Sequence, residues 1–341
     1  MRDRVDVLLL ALALAAPAAR AAEGPPPAPP AIVVHGGVGS LRARTDGTGA
    51  AAAKGLALLR QGGSALDAAL AAVSHLEDDC RFNAGTGANI RLDGRTVQMD
   101  AACMDGTTGA FGAVAAIERV KNPVRVARRV MDTPHILIVG EGATRFARAM
   151  GFPDHDPVCP DSRARYERVR RIILGKEKGS VSAWRRFDWR KAWNFPGPLP
   201  PELQEAVGTP DTVGAVARDA RGGFAAAIST GGTTITFHGR VGDVPIFGAG
   251  IYAGPRGAVA CTGNGEDIVK RLVAKAVYDD LARGTPARQA VENALRAFPP
   301  DIDLGIIAVS ADEEGGGANY SAEKKAFDAD YPRNMAWSVG R

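Results

Sequence analysis

Apolar and polar positions divide the chain into two ordered stretches separated by a long irregular one. In the first stretch, residues 31–34 form a short apolar run typical of a buried strand. Ala and Leu at helical spacing predict helices over 49–60 and 64–76, and Ser64 is a suitable N-cap for the second, with Asp67 at the capping-box position. A further strand over 136–139 and a helix near 143–150 complete this stretch.

The second ordered stretch begins after Pro210. Apolar runs predict strands over 212–218, 224–230, 246–253, 258–261 and 304–309, and helices over 266–282 and near 287–297. Strands and helices occur in blocks and do not alternate strictly. The pattern therefore favours a layered α+β fold over a parallel α/β fold.

Residues 153–210, between the two stretches, carry prolines, tryptophans and a surplus of positive charge. Residues 161–210 contain eleven basic and six acidic side chains, whereas the net charge of the whole chain is only +4. Basic residues interleaved with aromatics can bind nucleic acid. A solvated linker with a few aromatic anchors explains the same composition, and the even charge elsewhere argues against a nucleic-acid partner.

The N-terminal residues have the organisation of a secretory signal. Arg2 and Arg4 precede an apolar run, and a small-x-small cleavage site follows, so we expect residues 1–22 to be a signal peptide and 23–30 a Pro-rich spacer. An uncleaved anchor is the alternative. We therefore expect a periplasmic or secreted protein without membrane contact after signal removal, in which the four scattered cysteines could form one disulfide.

Two threonines are predicted to meet at the open end of a hairpin. If the strands flanking residues 219–223 pair symmetrically about Arg221, Arg218 faces Phe224 and Thr212 faces Thr230. Directly opposed side chains lie on the same face, about 5 Å apart at Cβ. An ordinary cross-strand Thr–Thr pair gives the same pattern, so the hairpin alone does not establish a catalytic site.

Two Gly-rich turns add charged and backbone groups. Arg240 and Asp243 lie three residues apart and together suit an amino-acid zwitterion, although a surface salt bridge is equally consistent. Thr262-Gly263-Asn264-Gly265 joins a strand to a helix, where backbone N–H groups can stabilise an oxyanion. The five dispersed histidines lack metal-ligand spacing, and the Walker and Gly-x-Ser-x-Gly motifs are absent from the sequence.

Several motifs, taken in order, resemble those of plant-type asparaginases and isoaspartyl peptidases, which are threonine hydrolases of the N-terminal-nucleophile (Ntn) class. The matching motifs are His35-Gly36-Gly37-Val38-Gly39, Asn83-Ala84-Gly85-Thr86-Gly87, Met104-Asp105-Gly106, Asp211-Thr212-Val213-Gly214-Ala215-Val216, Ser229-Thr230-Gly231-Gly232, Gly239-Arg240-Val241-Gly242-Asp243 and Thr262-Gly263-Asn264-Gly265. The similarity extends from about residue 31 to 309, apart from 153–210.

The resemblance implies a four-layer αββα Ntn-hydrolase sandwich of the α+β class and self-cleavage at the Asp211–Thr212 bond. Residues 31–211 would then form an α subunit, with 153–210 as its linker, and residues 212–341 a β subunit. Cleavage would free the α-amine of Thr212, whose ordinary pKa of about 7.7–8.0 suits a general base.

The resemblance also implies residue roles. They are Thr212 as nucleophile, Thr230 as its hydrogen-bond partner, Thr262 and Gly263 as the oxyanion site, Asn83 as support for the nucleophile, and Arg240 and Asp243 as the substrate clamp with Thr262, Gly263 and Gly265. Catalysis would need no cofactor. A structural sodium ion would bind main-chain carbonyls of Leu76, Glu77, Asp79, Phe82, Ala84 and Thr86.

These features predict a hydrolase that releases L-aspartate from L-asparagine or β-aspartyl peptides. The substrate would be a small molecule or short peptide, and the assembly (αβ)₂. Asp211 and the Phe237-His238-Gly239 approach resemble the glycosylasparaginase branch instead, and residues 315–341 match neither branch. Glycosylasparaginase activity is therefore an alternative, and a non-catalytic amino-acid-binding relative is another.

Overall fold

The computed structural model describes residues 29–38, 40, 42–173, 191–198, 212–234, 236–300, 302–319 and 335–341. The predicted signal peptide over 1–22, most of the spacer over 23–30, and Asp211 lie outside these residues. Among the helices that are described, none is long and apolar enough to cross a membrane.

Strands and helices occur in blocks along the described ranges. The strands are β1 (Ala31–His35), β2 (Met99–Asp105), β3 (Phe111–Ile117), β4 (Leu137–Val139), β5 (Val213–Arg218), β6 (Phe224–Thr230), β7 (Ile251–Gly254), β8 (Gly257–Gly263), β9 (Leu304–Ser310), β10 (Glu314–Asn319) and β11 (Trp337–Gly340). The α-helices are α1 (Thr45–Arg60), α2 (Ala65–Glu77), α3 (Pro123–Val130), α4 (Gly140–Ala149), α5 (Pro160–Ile173), α6 (Gly265–Arg271), α7 (Val273–Ala282) and α8 (Ala287–Ala297).

The strands form two sheets. A seven-stranded sheet has the order β11-β1-β5-β6-β2-β3-β4, and a four-stranded sheet has the order β10-β9-β8-β7. Neighbouring strands are antiparallel, with β3 and β4 as the parallel pair among the described strands. The predicted α+β class is therefore confirmed.

Three apolar clusters hold the sheets and helices together. Helices α1, α2 and α3 cover one face of the seven-stranded sheet, with Leu70 and Leu76 of α2 in that cluster. A second cluster lies between the two sheets and includes Ile228 of β6 and Ile307 of β9. Helices α7 and α8 cover the other face of the four-stranded sheet, and Val277 lies in this third cluster.

The hairpin of β5 and β6 has the predicted register. Arg218 pairs with Phe224 and Val213 with Ser229, so Thr212 continues the ladder opposite Thr230. Apolar side chains alternate on both buried faces of this hairpin, because one face packs on the helices and the other on the second sheet.

Two predicted elements after the hairpin are wrong in extent. The strand predicted over 246–253 begins only at Ile251, because residues before it form a turn in which the N–H of Ala249 donates to the Ile246 carbonyl (3.0 Å). The single helix predicted over 266–282 is two helices, because Leu272 between them adopts a left-handed backbone conformation (φ 46°).

The prediction of a solvated linker over 153–210 is wrong for its first part. Residues 160–173 form α5, and Tyr166, Val169 and Ile172, spaced three residues apart, are buried in the first apolar cluster. The other positions of this helix are rich in arginine, so the composition of the segment does not reveal its apolar stripe. Residues 174–190 and 199–211 lie outside the described residues.

A disulfide between Cys80 and Cys159 ties this segment to the loop after α2, whereas Cys103 and Cys261 are free and buried. The bond joins residues 79 positions apart, so it restricts the unfolded chain strongly. Next to it, the Gly87 N–H donates to the Pro157 carbonyl (2.9 Å). The loop that carries Asn83 is thus fixed to the residues just before α5 by a disulfide and a hydrogen bond.

Reduction of this disulfide is expected to lower the free energy of unfolding by about 2–4 kcal/mol, because the unfolded chain regains the conformations that the bond excludes. Thermal melting of the protein with and without dithiothreitol measures the effect. The double variant Cys80→Ser/Cys159→Ser should melt at the temperature of the reduced protein and should not respond to dithiothreitol. A reductant effect of equal size in that variant would contradict the assignment.

Candidate active site

The hydroxyls of Thr212 and Thr230 meet at the open end of the β5–β6 hairpin. Thr212 Oγ1 donates to Thr230 Oγ1 at 3.1 Å, and both residues are buried. The Gly232 N–H donates to the same Thr230 oxygen (2.9 Å). Thr230 is therefore oriented by its own strand end and holds the Thr212 hydroxyl in a defined direction.

Asn83 fixes the chain that follows Thr230. Its Nδ2 donates to the Gly232 carbonyl (2.8 Å), and its own main-chain carbonyl accepts from the Gly231 N–H (3.0 Å). A Cβ at position 231 would collide with Asn83 Oδ1, so only glycine fits there. Asn89, which the sequence analysis missed, reinforces this arrangement by donating from Nδ2 to the same Gly232 carbonyl (2.9 Å).

His35, at the end of β1, lies beside the start of β5. His35 pairs in register with Gly214, and the His35 Nε2 lies 2.5 Å from where a Cβ of Gly214 would be. Burial lowers the pKa of His35 to about 3, although the main chain of Thr212 offsets part of the shift. The imidazole is therefore neutral at physiological pH and contributes shape and hydrogen bonding, not charge. The His35-Gly36-Gly37 motif was visible in the sequence, but its neighbour across the sheet was not.

A cation lies beside the Thr230–Gly232 segment. Arg240 donates from Nε and Nη2 to the Glu266 carboxylate at 3.0 and 2.8 Å. Its Nη1 lies 3.6 Å from where a Cβ of Gly232 would be. Glu266 thus holds one side of the guanidinium, and the other side faces the strand end that carries Thr230.

The carboxyl of Asp243 is buried next to this cation. It is 4% exposed, and within the described part of the chain its Oδ2 lacks a hydrogen-bond partner. Burial raises the pKa of Asp243 to about 7. Gly265 leaves the space beside it open, since a Cβ there would lie 2.9 Å from Asp243 Oδ1 and 3.1 Å from Arg240 Nη2. A buried carboxyl with an unsatisfied oxygen is suited to a ligand that brings its own donors.

Thr262 and Gly263 end β8 in the four-stranded sheet. Thr262 is fully buried, and its Oγ1 accepts from the Val38 N–H at 3.1 Å. Gly263 has φ of 140°, and a Cβ there would collide with the Asp303 carbonyl, so the position requires glycine. The Val38 N–H connects Thr262 to the segment that begins with His35, whose ring lies beside Gly214 of β5.

The structure therefore brings six of the predicted residues into two groups, whereas Thr262 is bonded to Val38. Thr212, Thr230 and Asn83 form one group, and Arg240, Asp243 and Gly265 form the other; Gly232 lies between them. Asp211, predicted to precede the cleaved bond, lies outside the described residues.

The loop predicted to bind sodium is described in full. The carbonyls of Leu76, Glu77 and Asp79 accept hydrogen bonds from the N–H groups of Asp79 (3.2 Å), Thr86 (2.7 Å) and Phe82 (3.0 Å), respectively. Each carbonyl retains a second lone pair, so these bonds are compatible with cation binding. The carbonyls of Cys80 and Phe82 converge on Gly87, 2.6 and 2.7 Å from where its Cβ would be.

Comparison with known proteins identifies the family of this chain. The sequence profile described as asparaginase matches residues 28–332. The plant-type L-asparaginase of Pyrococcus furiosus is 43% identical over 292 residues, which cover 82% of this chain and 90% of that protein. The isoaspartyl peptidase/L-asparaginases of Danio rerio and Homo sapiens are each 39% identical, over 82% of this chain and 85% and 87% of those proteins.

The fold and the paired threonines define an α+β protein with a buried hydroxyl nucleophile candidate beside a cation and a carboxyl group. With the profile matched over most of its length, the chain belongs to the asparaginase family.

Proposed function

We propose that this protein is a hydrolase that cleaves the side-chain amide of L-asparagine and of β-aspartyl peptides and releases L-aspartate. The observation that carries the proposal is the 3.1 Å hydrogen bond between Thr212 and Thr230, buried beside Arg240 and Asp243. The relatives named isoaspartyl peptidase/L-asparaginase favour this substrate class over glycosyl-asparagine and over non-catalytic binding.

We propose further that the chain cleaves itself between Asp211 and Thr212 and adopts the four-layer αββα arrangement of Ntn hydrolases. The two facing sheets with helices on their outer faces support the arrangement. The β chain would contain residues 212–341, and the α chain would end at Asp211. Cleavage would supply the base: burial lowers the pKa of His35, next to the Thr212 main chain, to about 3, so this imidazole is a weak base, whereas the freed α-amine would be a stronger one.

In the proposed reaction, Thr212 Oγ1 attacks the side-chain carbonyl carbon of the substrate while its proton passes to the Thr212 α-amine. The C–N bond breaks, the proton moves to the departing nitrogen, and an aspartyl ester of Thr212 remains. Water then hydrolyses the ester and regenerates the hydroxyl. Thr262 and Gly263 would stabilise the oxyanion, and Thr230 would hold the hydroxyl in line.

Substrate recognition is assigned to Arg240 and Asp243. The side of the Arg240 guanidinium away from Glu266 suits an α-carboxylate. Asp243 Oδ2, which lacks a hydrogen-bond partner among the described residues, suits an α-ammonium. The aspartyl unit that is released must therefore carry both groups free, as it does in L-asparagine and β-aspartyl dipeptides.

A side-by-side assay on L-asparagine, a β-aspartyl dipeptide and glycosyl-asparagine tests the proposal. We expect hydrolysis of the first two, with aspartate as the product, and kcat/KM at least about tenfold lower for the third. Hydrolysis of glycosyl-asparagine alone would assign the protein to the other branch, and binding without turnover of any of the three would make it a binding protein.

The pKa of Asp243 gives a pH dependence with a definite sign. Because the carboxyl titrates near pH 7 in the free enzyme and must be ionised to pair with an ammonium, kcat/KM should fall as pH decreases below about 7. Protonation of the Thr212 α-amine, whose ordinary pKa is about 7.7–8.0, acts in the same direction. The logarithm of kcat/KM should therefore fall with a slope approaching 2 in the wild type. In Asp243→Asn the slope should approach 1, and equal slopes in both proteins would contradict the role of Asp243.

Three further properties are proposed together with the activity. A structural sodium ion on the carbonyls of the loop after α2 is proposed on the family resemblance, and its removal by exchange into a choline buffer should lower the melting temperature. The disulfide, together with the signal-like residues 1–22, supports a periplasmic or secreted location.

Assembly as (αβ)₂ is proposed on the family resemblance and is tested by sedimentation of the purified protein.

A further inference from the structure

The last strand of the chain pairs with the first. In the seven-stranded sheet, β1 lies between β5 and β11, antiparallel to both. If the chain is cut before Thr212, β1 belongs to the α chain, whereas β5 and β11 are the first and last described strands of the β chain. The residues matched by the family profile end at 332, so β11 lies beyond them.

Ala336, the residue before β11, forms hydrogen bonds with residues 36 and 40, in the segment that follows β1. The Ala336 carbonyl accepts from the Gly36 N–H at 2.7 Å, and the Ala336 N–H donates to Ser40 Oγ at 3.0 Å. Ser40 Oγ in turn donates to the Gly37 carbonyl at 2.7 Å. Ser40 and Ala336 are both buried, so these bonds are shielded from water.

This held segment contacts the proposed oxyanion site. Val38, between Gly37 and Ser40, donates its N–H to Thr262 Oγ1 at 3.1 Å. Met335 lies near Thr262 as well: the Met335 sulfur and Thr262 Cγ2 lie 2.7 and 2.8 Å from where a Cβ of Gly305, the register partner of Thr262, would be. The C-terminal segment therefore supports the surroundings of Thr262 in two ways.

We propose that residues 335–341 are a positioning element of the active site, which fixes the Thr262 hydroxyl through the hydrogen bond between Ala336 and Ser40. The inference rests on the proposed function, because it assigns a role in orienting the oxyanion site. It identifies the C-terminal segment as a part of the β chain that controls turnover without touching substrate.

The test compares two serine variants of the full chain in the β-aspartyl dipeptide assay. Ser40→Ala removes the hydroxyl that links Ala336 to the loop. Ser310→Ala, the matched control, removes a hydroxyl that donates to the Glu313 carbonyl at 3.2 Å, at the end of β9 opposite to Gly305. We expect Ser40→Ala to lower kcat about 10- to 100-fold with KM changed less than about twofold. Ser310→Ala should keep the wild-type kcat.

A third variant addresses the same hydrogen bond from the other side. Ala336→Pro lacks the donor N–H and should lower kcat as Ser40→Ala does. If both act through one bond, the double variant should be no slower than the slower single variant. Should Ser40→Ala not fold, the comparison of Ala336→Pro with Ser310→Ala decides the question.

The positioning role would be overturned if Ser40→Ala and Ala336→Pro had the same kcat as Ser310→Ala. A loss confined to KM, or fully additive effects in the double variant, would also overturn it. These failures differ from failure of the proposed function, in which the wild type itself does not hydrolyse the dipeptide.

Discussion

Thr212→Ala is expected to remain a single chain and to lose at least about 10⁴-fold in kcat, because it lacks both the hydroxyl that attacks the Asp211 carbonyl and the nucleophile for substrate. Denaturing gel electrophoresis of the purified variant measures the first effect. Release of aspartate from a β-aspartyl dipeptide measures the second. Both losses come from one oxygen atom, which in the wild type donates to Thr230.

One control for this prediction keeps a hydroxyl at position 212, and the other removes a hydroxyl elsewhere in the chain. Thr212→Ser keeps an oxygen nucleophile and should still self-cleave. Thr108→Ala removes an exposed hydroxyl from the turn between β2 and β3 and should leave processing and activity unchanged. If Thr212→Ala were cut at the same bond, a protease and not the chain itself would be responsible.

Asp243→Ala is expected to lower kcat/KM about 30- to 4,000-fold. Loss of this buried carboxyl leaves the substrate ammonium unpaired, which costs about 2–5 kcal/mol of transition-state binding, and a factor of ten corresponds to about 1.4 kcal/mol. Self-cleavage should be affected much less, because the Asp211–Thr212 bond presents no zwitterion. The measurement is kcat/KM for L-asparagine and a β-aspartyl dipeptide, with the extent of processing recorded in parallel.

Asp279→Ala is the matched control, since Asp279 lies on the surface of α7 and pairs with Lys275. It should retain wild-type kcat/KM. N-acetylation of the dipeptide should reproduce most of the loss in the wild type and add little in Asp243→Ala. The clamp is misassigned if the acetylated and free dipeptides are cut equally fast by the wild type.

The parts of the fold that the sequence predicts best are those fixed by local pattern. The helix capped by Ser64 and the hairpin around Arg221 follow from capping and turn chemistry and from apolar runs with a defined centre. The structure confirms both, including the Ser64 cap, which accepts from the Asp67 N–H at 3.1 Å. Because the hairpin register is local, it predicts that Thr212 and Thr230 meet.

Features that depend on distant parts of the chain were not predictable in this way. The neighbour of His35 depends on the pairing of β1 with β5, about 180 residues later in the sequence. Asn89 acts through a carbonyl of another segment, and the Cys80–Cys159 pairing depends on where α5 packs. Helix α5 was missed because its charge dominates its composition, although its apolar residues have helical spacing.

The central claim is that Thr212 becomes the N-terminal residue of a separate chain. Intact-mass spectrometry with N-terminal sequencing of the purified wild type tests it most directly. The account predicts a fragment of 130 residues that begins Thr-Val-Gly-Ala and ends at Arg341, together with a second chain that ends at Asp211. A single uncut chain that still hydrolyses β-aspartyl dipeptides would contradict it.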